Sequence, residues 1–311
     1  MYDVIIVGGG PAGLTAGIYS SRYGLKTLVI DEGGCEGQIS LSPEVENIPG
    51  FDSIAGIDFM SNLRRQAEEL GVEILDYTKV LKIKKNVFGD NLWKIKTDSV
   101  CEEAKEYTTT AVIACTGCKH RTLNLPGEKE LIGNGVHFCA TCDGPFYKDK
   151  DVIVVGGGNS AMVEVQELAK ICKTVTILQN LPELTADKTT VDRILALDNV
   201  KVKYNSIVTD YFILNEKLSG VWVQCKDDPE YSELINANGV FLAIGMEPNT
   251  GIIGIDSIQA YVSADREKRM AENGLFVAGD IKEKELRQVV TACSDGAIAA
   301  QRAMNYVKKS E

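Results

Sequence analysis

A glycine-rich unit that occurs twice constrains this chain more than any other feature. The first copy reads YDVIIVGGGPAGLTAGIYSSRYGLKTLVIDEGG from Tyr2. The apolar run Val4–Val7 has the continuous hydrophobicity of a strand buried on both faces. Gly8, Gly10 and Gly13 follow in G-x-G-x-x-G spacing. Residues 12–23 then read as a helix, and KTLVID reads as a second strand that ends at Asp31, 23 residues after Gly8. Gly8 makes the tight turn, Gly10 lets a pyrophosphate approach the backbone, and Gly13 lets helix and strand pack closely. The free N–H groups of the helix start face the phosphates, and Asp31 is placed to bond ribose hydroxyls. The second copy, KDVIVVGGGNSAMVEVQELAKICKTVTILQN, repeats the first 148 residues on. Gly156, Gly158 and Ala161 give G-x-G-x-x-A, and Gln179 stands where Asp31 stands in the first copy. Two such units predict an α/β fold with two Rossmann-like dinucleotide-binding domains, and two dinucleotides, a flavin and a nicotinamide.

Length allows this, since 311 residues suffice for two domains of about 100–200 residues each. The net charge of −11, from 33 basic and 44 acidic residues, argues against bulk nucleic-acid binding, which needs a basic face. No apolar run approaches the ~18 residues of a membrane span, and the N-terminus goes straight into a strand with no signal peptide. Nine cysteines, an odd and scattered set, do not form a secreted disulfide framework. A cytoplasmic, reducing setting is expected. There, a close pair such as Cys139 and Cys142 in VHFCATCDG is catalytic or metal-binding rather than structural.

VIIVGGGPAG, GGCEGQISLSPEVENIPGF, CATCDG, VVGGGNSA, AIGMEPNT and GLFVAGDIKEKELRQVVTACSDGAIAA occur in that order. With them the chain resembles the low-molecular-weight flavin thioredoxin reductases over essentially its whole length. The C-x-x-C between the two glycine units sets these apart from glutathione-reductase-like enzymes, whose dithiol lies in the first domain. Here Cys35 has Ser40 at that spacing and no partner. The resemblance implies a three-layer FAD/NAD(P)-type architecture with the second domain inserted in the first: residues 1–113 plus 246–311 bind FAD, and 114–245 carry the dithiol. The strands TTTAVIACTG and GVFLAIGM would carry the crossings, about which the family's domains rotate. A homodimer through the flavin domain is implied.

By the same resemblance FAD is bound by Gly8, Gly10, Pro11, Ala12, Gly13, Asp31, Glu32, Gly37, Gln38, Asn47, Gly279, Asp280, Arg287, Gln288 and Val289. Cys142 would lie next to the flavin, Cys139 would attack thioredoxin, and Asp143 would protonate a departing thiolate. A helix start beside the C-x-x-C is expected to favour the thiolate. Cys115 and Cys118 would complete a C-x2-C-x20-C-x2-C pattern near zinc-ribbon spacing. That needs four converging thiolates. A small buried cysteine where the family has the alanine of ATG is preferred, and no metal is expected. His120 and His137, the only histidines, are read as structural.

NADPH-dependent members carry His-Arg-Arg after the second strand and another arginine four residues on, which grip the 2′-phosphate. This chain has Gln179, Asn180, Leu181 and Thr185 there, with Pro182 just past the strand, and on the helix after the second glycine turn Val163 replaces the first of a pair of acids the family usually has. The chain is in this respect most like the ferredoxin-dependent subgroup, in which reduced ferredoxin supplies electrons singly. NADH and NADPH stay open as donors. Ferredoxins are acidic, so Arg64, Arg65, Lys79, Lys82, Lys84 and Lys85 are candidate docking charges, or else a solvated face and edge strand. A flavin-bound redox sensor without turnover is the reading from another class.

Overall fold

The computed structural model describes residues 1–34, 37–41, 45, 47–86, 89–99, 104–228, 230–254 and 260–310. Cys35, named above for its missing partner, lies outside them. The chain divides into two compact units, Met1–Lys119 with Glu247–Glu311, and His120–Met246. These boundaries fall slightly later than the sequence expectation. The crossings themselves, Cys118–His120 and Met246–Pro248, pair as a two-stranded ribbon, and the division falls within it.

In the first unit a sheet runs Glu73–Leu75, Thr27–Ile30, Tyr2–Val7, Glu106–Ala114, Trp93–Ser99, Thr78–Lys85, with Leu275–Val277 also pairing Glu106–Ala114. The pairs nearest Tyr2–Val7 are parallel, while Thr78–Lys85, Trp93–Ser99 and the start of Glu106–Ala114 form an antiparallel meander. Alternation along Tyr2–Val7 sends successive side chains to opposite faces. Val4 and Ile6 pack with Leu14, Phe59 and Ala300, from the helices Pro11–Arg22, Gly56–Glu69 and Val289–Ser310. Ile5 and Val7 pack with Val80, Trp93 and Ile95 of the meander. A strand covered on both sides must be apolar throughout, which is why VIIV shows no alternation. Full burial of Leu14, Ile5 and Ile6 contributes on the order of 2 kcal/mol each.

The second unit repeats this logic. Its parallel sheet runs Val200–Lys203, Thr174–Leu178, Asp151–Val155, Gly239–Leu242, Val136–His137. Val152 and Val154 pack with Met162, Val165 and Leu168 of the helix Asn159–Ala169. Ile153 and Val155 pack with Val208, Val221 and Val223 of an antiparallel three-stranded sheet. Both units thus have the three layers that the family resemblance implied. Among the described residues no helix is long and apolar enough to cross a membrane.

Candidate functional site

In the first unit the glycine turn joins Tyr2–Val7 to the helix Pro11–Arg22, which Pro11 opens at its first turn. Gly8 has φ +106°, and a Cβ there would lie 2.3 Å from the Cys115 carbonyl oxygen. A Cβ on Gly13 would lie 1.8 Å from the Gly8 carbonyl oxygen, so only glycine allows helix and turn to meet. Gly10 is different: a Cβ there meets nothing within 4 Å among the described residues. The turn is therefore open on the side where a pyrophosphate would come. Gly37 borders the same place, 3.6 Å from Gly10 and 3.8 Å from Pro11 by its ideal Cβ, and Gly279, at φ +79°, abuts Ala12.

Asp31 closes the turn. One carboxylate oxygen accepts from Gly9 N–H at 2.7 Å and the other from Gly33 N–H at 3.0 Å. Glu32 forms an exposed ion pair with Lys79 at 2.7 Å. Asn47 Nδ2 donates to Gln288 Oε1 at 3.0 Å, joining two motifs far apart in sequence, and Gln38 Nε2 donates to the Cys118 carbonyl. Arg287 donates to the carbonyls of Asp280, at 3.4 Å, and Lys282, at 3.2 Å, with its guanidinium 4.0 Å over the Tyr261 ring. Val289 begins the last helix. Asp280 Oδ1 is buried, makes no hydrogen bond among the described residues, and forms an ion pair with the Lys284 ammonium at 3.3 Å. An open glycine, a carboxylate at the turn and a buried carboxylate oxygen that makes an ion pair but no hydrogen bond suit a dinucleotide with free hydroxyls.

Sequence reading missed the ion cluster beneath these residues. Lys282 and Lys284 meet Asp295 at 3.1 and 3.0 Å, and Lys282 meets Glu267 at 3.3 Å. The K-E-K run after Asp280 was the available signal. The zinc alternative has no support in how the cysteines stand. The Cys118 thiol donates to the Asp280 carbonyl at 2.9 Å, Cys115 is buried, and Cys139 is bonded to Cys142. Burial pushes the Cys118 thiol up to about 11, and burial also raises Cys115.

In the second unit Cys139 caps the helix Ala140–Asp143, and its sulfur accepts from Cys142 N–H at 3.2 Å. Cys139 and Cys142 are joined as a disulfide. The helix has only four residues, so its dipole is small, and the expected thiolate stabilisation falls chiefly to that cap contact. Asp143 ends the same turn, its N–H bonded to the Cys139 carbonyl at 3.0 Å. His120 stacks on Phe138 at 4.6 Å, a packing role, and burial lowers its pKa. His137 does more than pack: its Nδ1 lies 3.3 Å from the Asp143 carboxylate.

Glu164, also missed from sequence, accepts from Ala140 N–H at the start of the disulfide helix. Burial pushes its carboxyl up, the Ala140 N–H opposes this, and the Asp143 charge adds to it. A raised carboxyl binds its proton more tightly in the folded state. Its contribution to stability is present at acid pH and is lost as pH rises from the ordinary carboxylate range, about 4.3, through the raised folded value. Glu164→Gln, which keeps the acceptor without the charge, is expected to raise Tm by about 2 °C at pH 8 and to leave it unchanged at pH 4. Melting curves at the two pH values check this; an equal change at both would remove the charge as its cause.

The second glycine turn is built like the first, with Gly156 at φ +125°, but differs at its rim. Gln179 is 4% exposed. Its Nε2 donates to the Glu183 carbonyl at 2.9 Å and its Oε1 accepts from Asn180 N–H at 3.1 Å. The amide thus ties residues 179–183 into their own loop, where Asp31 ties its turn. That loop folds onto the glycines: Thr185 and Ala186 N–H donate to the Gly157 carbonyl at 2.8 and 3.2 Å, and Asp187 N–H to Asn159 Oδ1 at 2.8 Å.

Four of the candidate docking charges are engaged within the chain. Arg64 forks Asp76 at 2.8 and 2.7 Å, Arg65 meets Glu69 at 2.9 Å, Lys79 meets Glu32, and Lys85 donates to Asn273 and Tyr306. Lys82 and Lys84 carry no ion pair among the described residues and stand directly across from Lys96 and Lys94.

Known proteins share this plan. A profile of the pyridine nucleotide-disulphide oxidoreductases matches residues 2–296. A thioredoxin reductase of Listeria monocytogenes serovar 1/2a is 39% identical over 312 residues, covering 99% of this chain and 95% of that protein. One of Bacillus subtilis strain 168 is 39% identical over 314 residues, covering 99% and 96%. The crystal structure of thioredoxin reductase from Streptococcus pyogenes MGAS5005 superposes with a TM-score of 0.78 at 35% identity, covering 99% of each chain.

Proposed function

The chain belongs to the pyridine nucleotide-disulphide oxidoreductase family, and from that premise we propose that it is an FAD-dependent thioredoxin reductase whose electrons come from reduced ferredoxin. It is a flavoprotein disulfide oxidoreductase with FAD as cofactor. The glycine turn at Gly8, Gly10 and Gly13, with Asp31, Gln38, Asn47, Asp280, Arg287 and Gln288, would hold the FAD. When bound, FAD takes up electrons one or two at a time and passes them on to a disulfide.

Two electrons and two protons convert the Cys139–Cys142 disulfide to two thiols. The Cys139 thiolate then attacks the thioredoxin disulfide. A bond forms between Cys139 and one substrate sulfur, the substrate S–S bond breaks, and Asp143 gives the departing sulfur a proton. Cys142 next gives up its thiol proton, attacks Cys139 and expels the second substrate sulfur, which takes up that proton, so that the starting disulfide is restored. The small N-capped turn at Ala140–Asp143 keeps both sulfurs and the acid on one element.

The single observation that carries the donor reading is Gln179. A nicotinamide site is typically gripped by an acid or by cations at that rim, and here an uncharged Gln179, packed against Gly157, bonds within its own loop. Lys82 and Lys84, which stand across from Lys96 and Lys94 at a cost in stability, suit docking of an acidic ferredoxin. The retained Gly156, Gly158 and Ala161 favour the second reading, a nicotinamide donor. Anaerobic reduction of the purified protein decides between them. NADPH, NADH and enzymatically reduced ferredoxin are offered in turn with thioredoxin present. Only ferredoxin is expected to bleach the flavin and yield reduced thioredoxin; bleaching by NADH or NADPH at a catalytic rate overturns the donor reading. A homodimer through the first unit and a cytoplasmic location complete the proposal.

A further inference from the structure

His137 is buried, 5% exposed, and its two ring nitrogens are both engaged. Nδ1 lies 3.3 Å from Asp143 Oδ2, whose side chain is 27% exposed, and Nε2 lies 2.7 Å from the Tyr147 hydroxyl. Burial pushes the Tyr147 hydroxyl up to about 12, with the Asp143 charge adding to the rise. Tyr147 therefore keeps its proton at every working pH. With that O–H donating to Nε2, the tautomer the proposal uses, the imidazole proton lies on Nδ1, facing the Asp143 carboxylate.

The arrangement is held rigidly. His137 ends the short strand Val136–His137, paired with Val240–Phe241. The rings of His137, Tyr147 and Phe241 lie mutually 5.3–5.6 Å apart. Tyr147 rests on Gly239, where a Cβ would lie 2.4 Å from its ring. The titratable and charged groups around the imidazole are Asp143 and Tyr147. Glu164 acts on Asp143 from the helix Asn159–Ala169, and the Lys150 ammonium lies 5.5 Å over the Tyr147 ring.

We propose that His137, oriented by Tyr147, is a positioning residue that aims the Asp143 carboxyl at the dithiol and stabilises it as the anion between proton transfers. The inference rests on the reading of Asp143 as the acid. In the exchange, Asp143 takes a proton from an enzyme thiol and gives it to the departing substrate sulfur. His137 keeps its Nδ1 proton throughout, so no proton or electron is left unplaced.

A hydrogen bond to a charged form favours that form. The test is the pH profile of thioredoxin reduction by the prereduced holoenzyme. His137→Phe, which fills the ring slot, is expected to displace the limb due to Asp143 to higher pH and to lower kcat about tenfold, with KM for thioredoxin unchanged. His137→Asn, which keeps an N–H donor near Nδ1, restores the limb, and Tyr147→Phe gives a smaller shift in the same direction. In an Asp143→Asn background His137→Phe has no further effect. If Asp143→Asn removes the limb but neither His137→Phe nor Tyr147→Phe moves it, His137 only packs and this inference falls alone. If Asp143→Asn leaves the limb in place, the acid assignment falls and the inference with it. FAD content and melting curves show whether each variant folds; if His137→Phe does not, Tyr147→Phe and His137→Asn carry the test.

Discussion

Cys142→Ser is expected to lower thioredoxin reduction by on the order of 10³-fold or more while FAD stays bound and the donor still bleaches it. Cys139→Ser is expected to do the same, because a disulfide cannot be cycled with one sulfur. The two variants separate in what they trap. With Cys142 gone, Cys139 attacks a thioredoxin that lacks its own resolving cysteine and carries a thionitrobenzoate disulfide, and no sulfur is left to release the mixed disulfide. Mass spectrometry then shows a covalent complex for Cys142→Ser and little for Cys139→Ser. The reverse pattern would exchange the two roles. Persistent turnover in both variants would move the chemistry to another thiol. Cys118, buried and pushed up to about 11, is a poor candidate because little of it is thiolate at neutral pH.

The glycines of the first turn give the second large effect, and they separate folding from ligand binding. Gly13→Ala places a carbon 1.8 Å from the Gly8 carbonyl oxygen. Backbone cannot yield there without parting the helix Pro11–Arg22 from the strand Tyr2–Val7. A loss of about 3 kcal/mol or more is expected, with FAD content falling too. Gly10→Ala places its carbon in open space, at an ordinary φ of −72°. Stability of the apoprotein should stay within about 0.5 kcal/mol of wild type, while FAD affinity drops about tenfold or more, because the methyl stands where the pyrophosphate would meet the turn. Denaturant unfolding of the apoproteins and flavin titration check both. A Gly10→Ala protein that binds FAD as tightly as wild type would sink the idea that phosphate approaches at this residue.

Much of the site was legible before any coordinate. Gly8, Gly10 and Gly13 were readable because a tight turn, an open approach and a close packing each demand glycine at a set spacing. Cys139 and Cys142 were readable because two residues between thiols is one helical turn. Less legible were the charges. Arg64, Lys79 and Lys85 look like free cations in sequence, yet Asp76, Glu32 and Tyr306 hold them. His137 looked like a packing residue because nothing local marks its partner.

What the sequence determined by itself is the pair of strand–turn–helix–strand units and the dithiol between them. Those features rest on periodicity and turn sterics that act over a few residues. The tertiary structure alone decided which polar groups meet. It set Asn47 against Gln288 and His137 between Asp143 and Tyr147, and it bonded the Gln179 amide to Glu183 while packing it against Gly157 of the glycine turn. A buried polar atom takes whatever partner the packed chain brings within about 3 Å, and no short-range pattern encodes that choice.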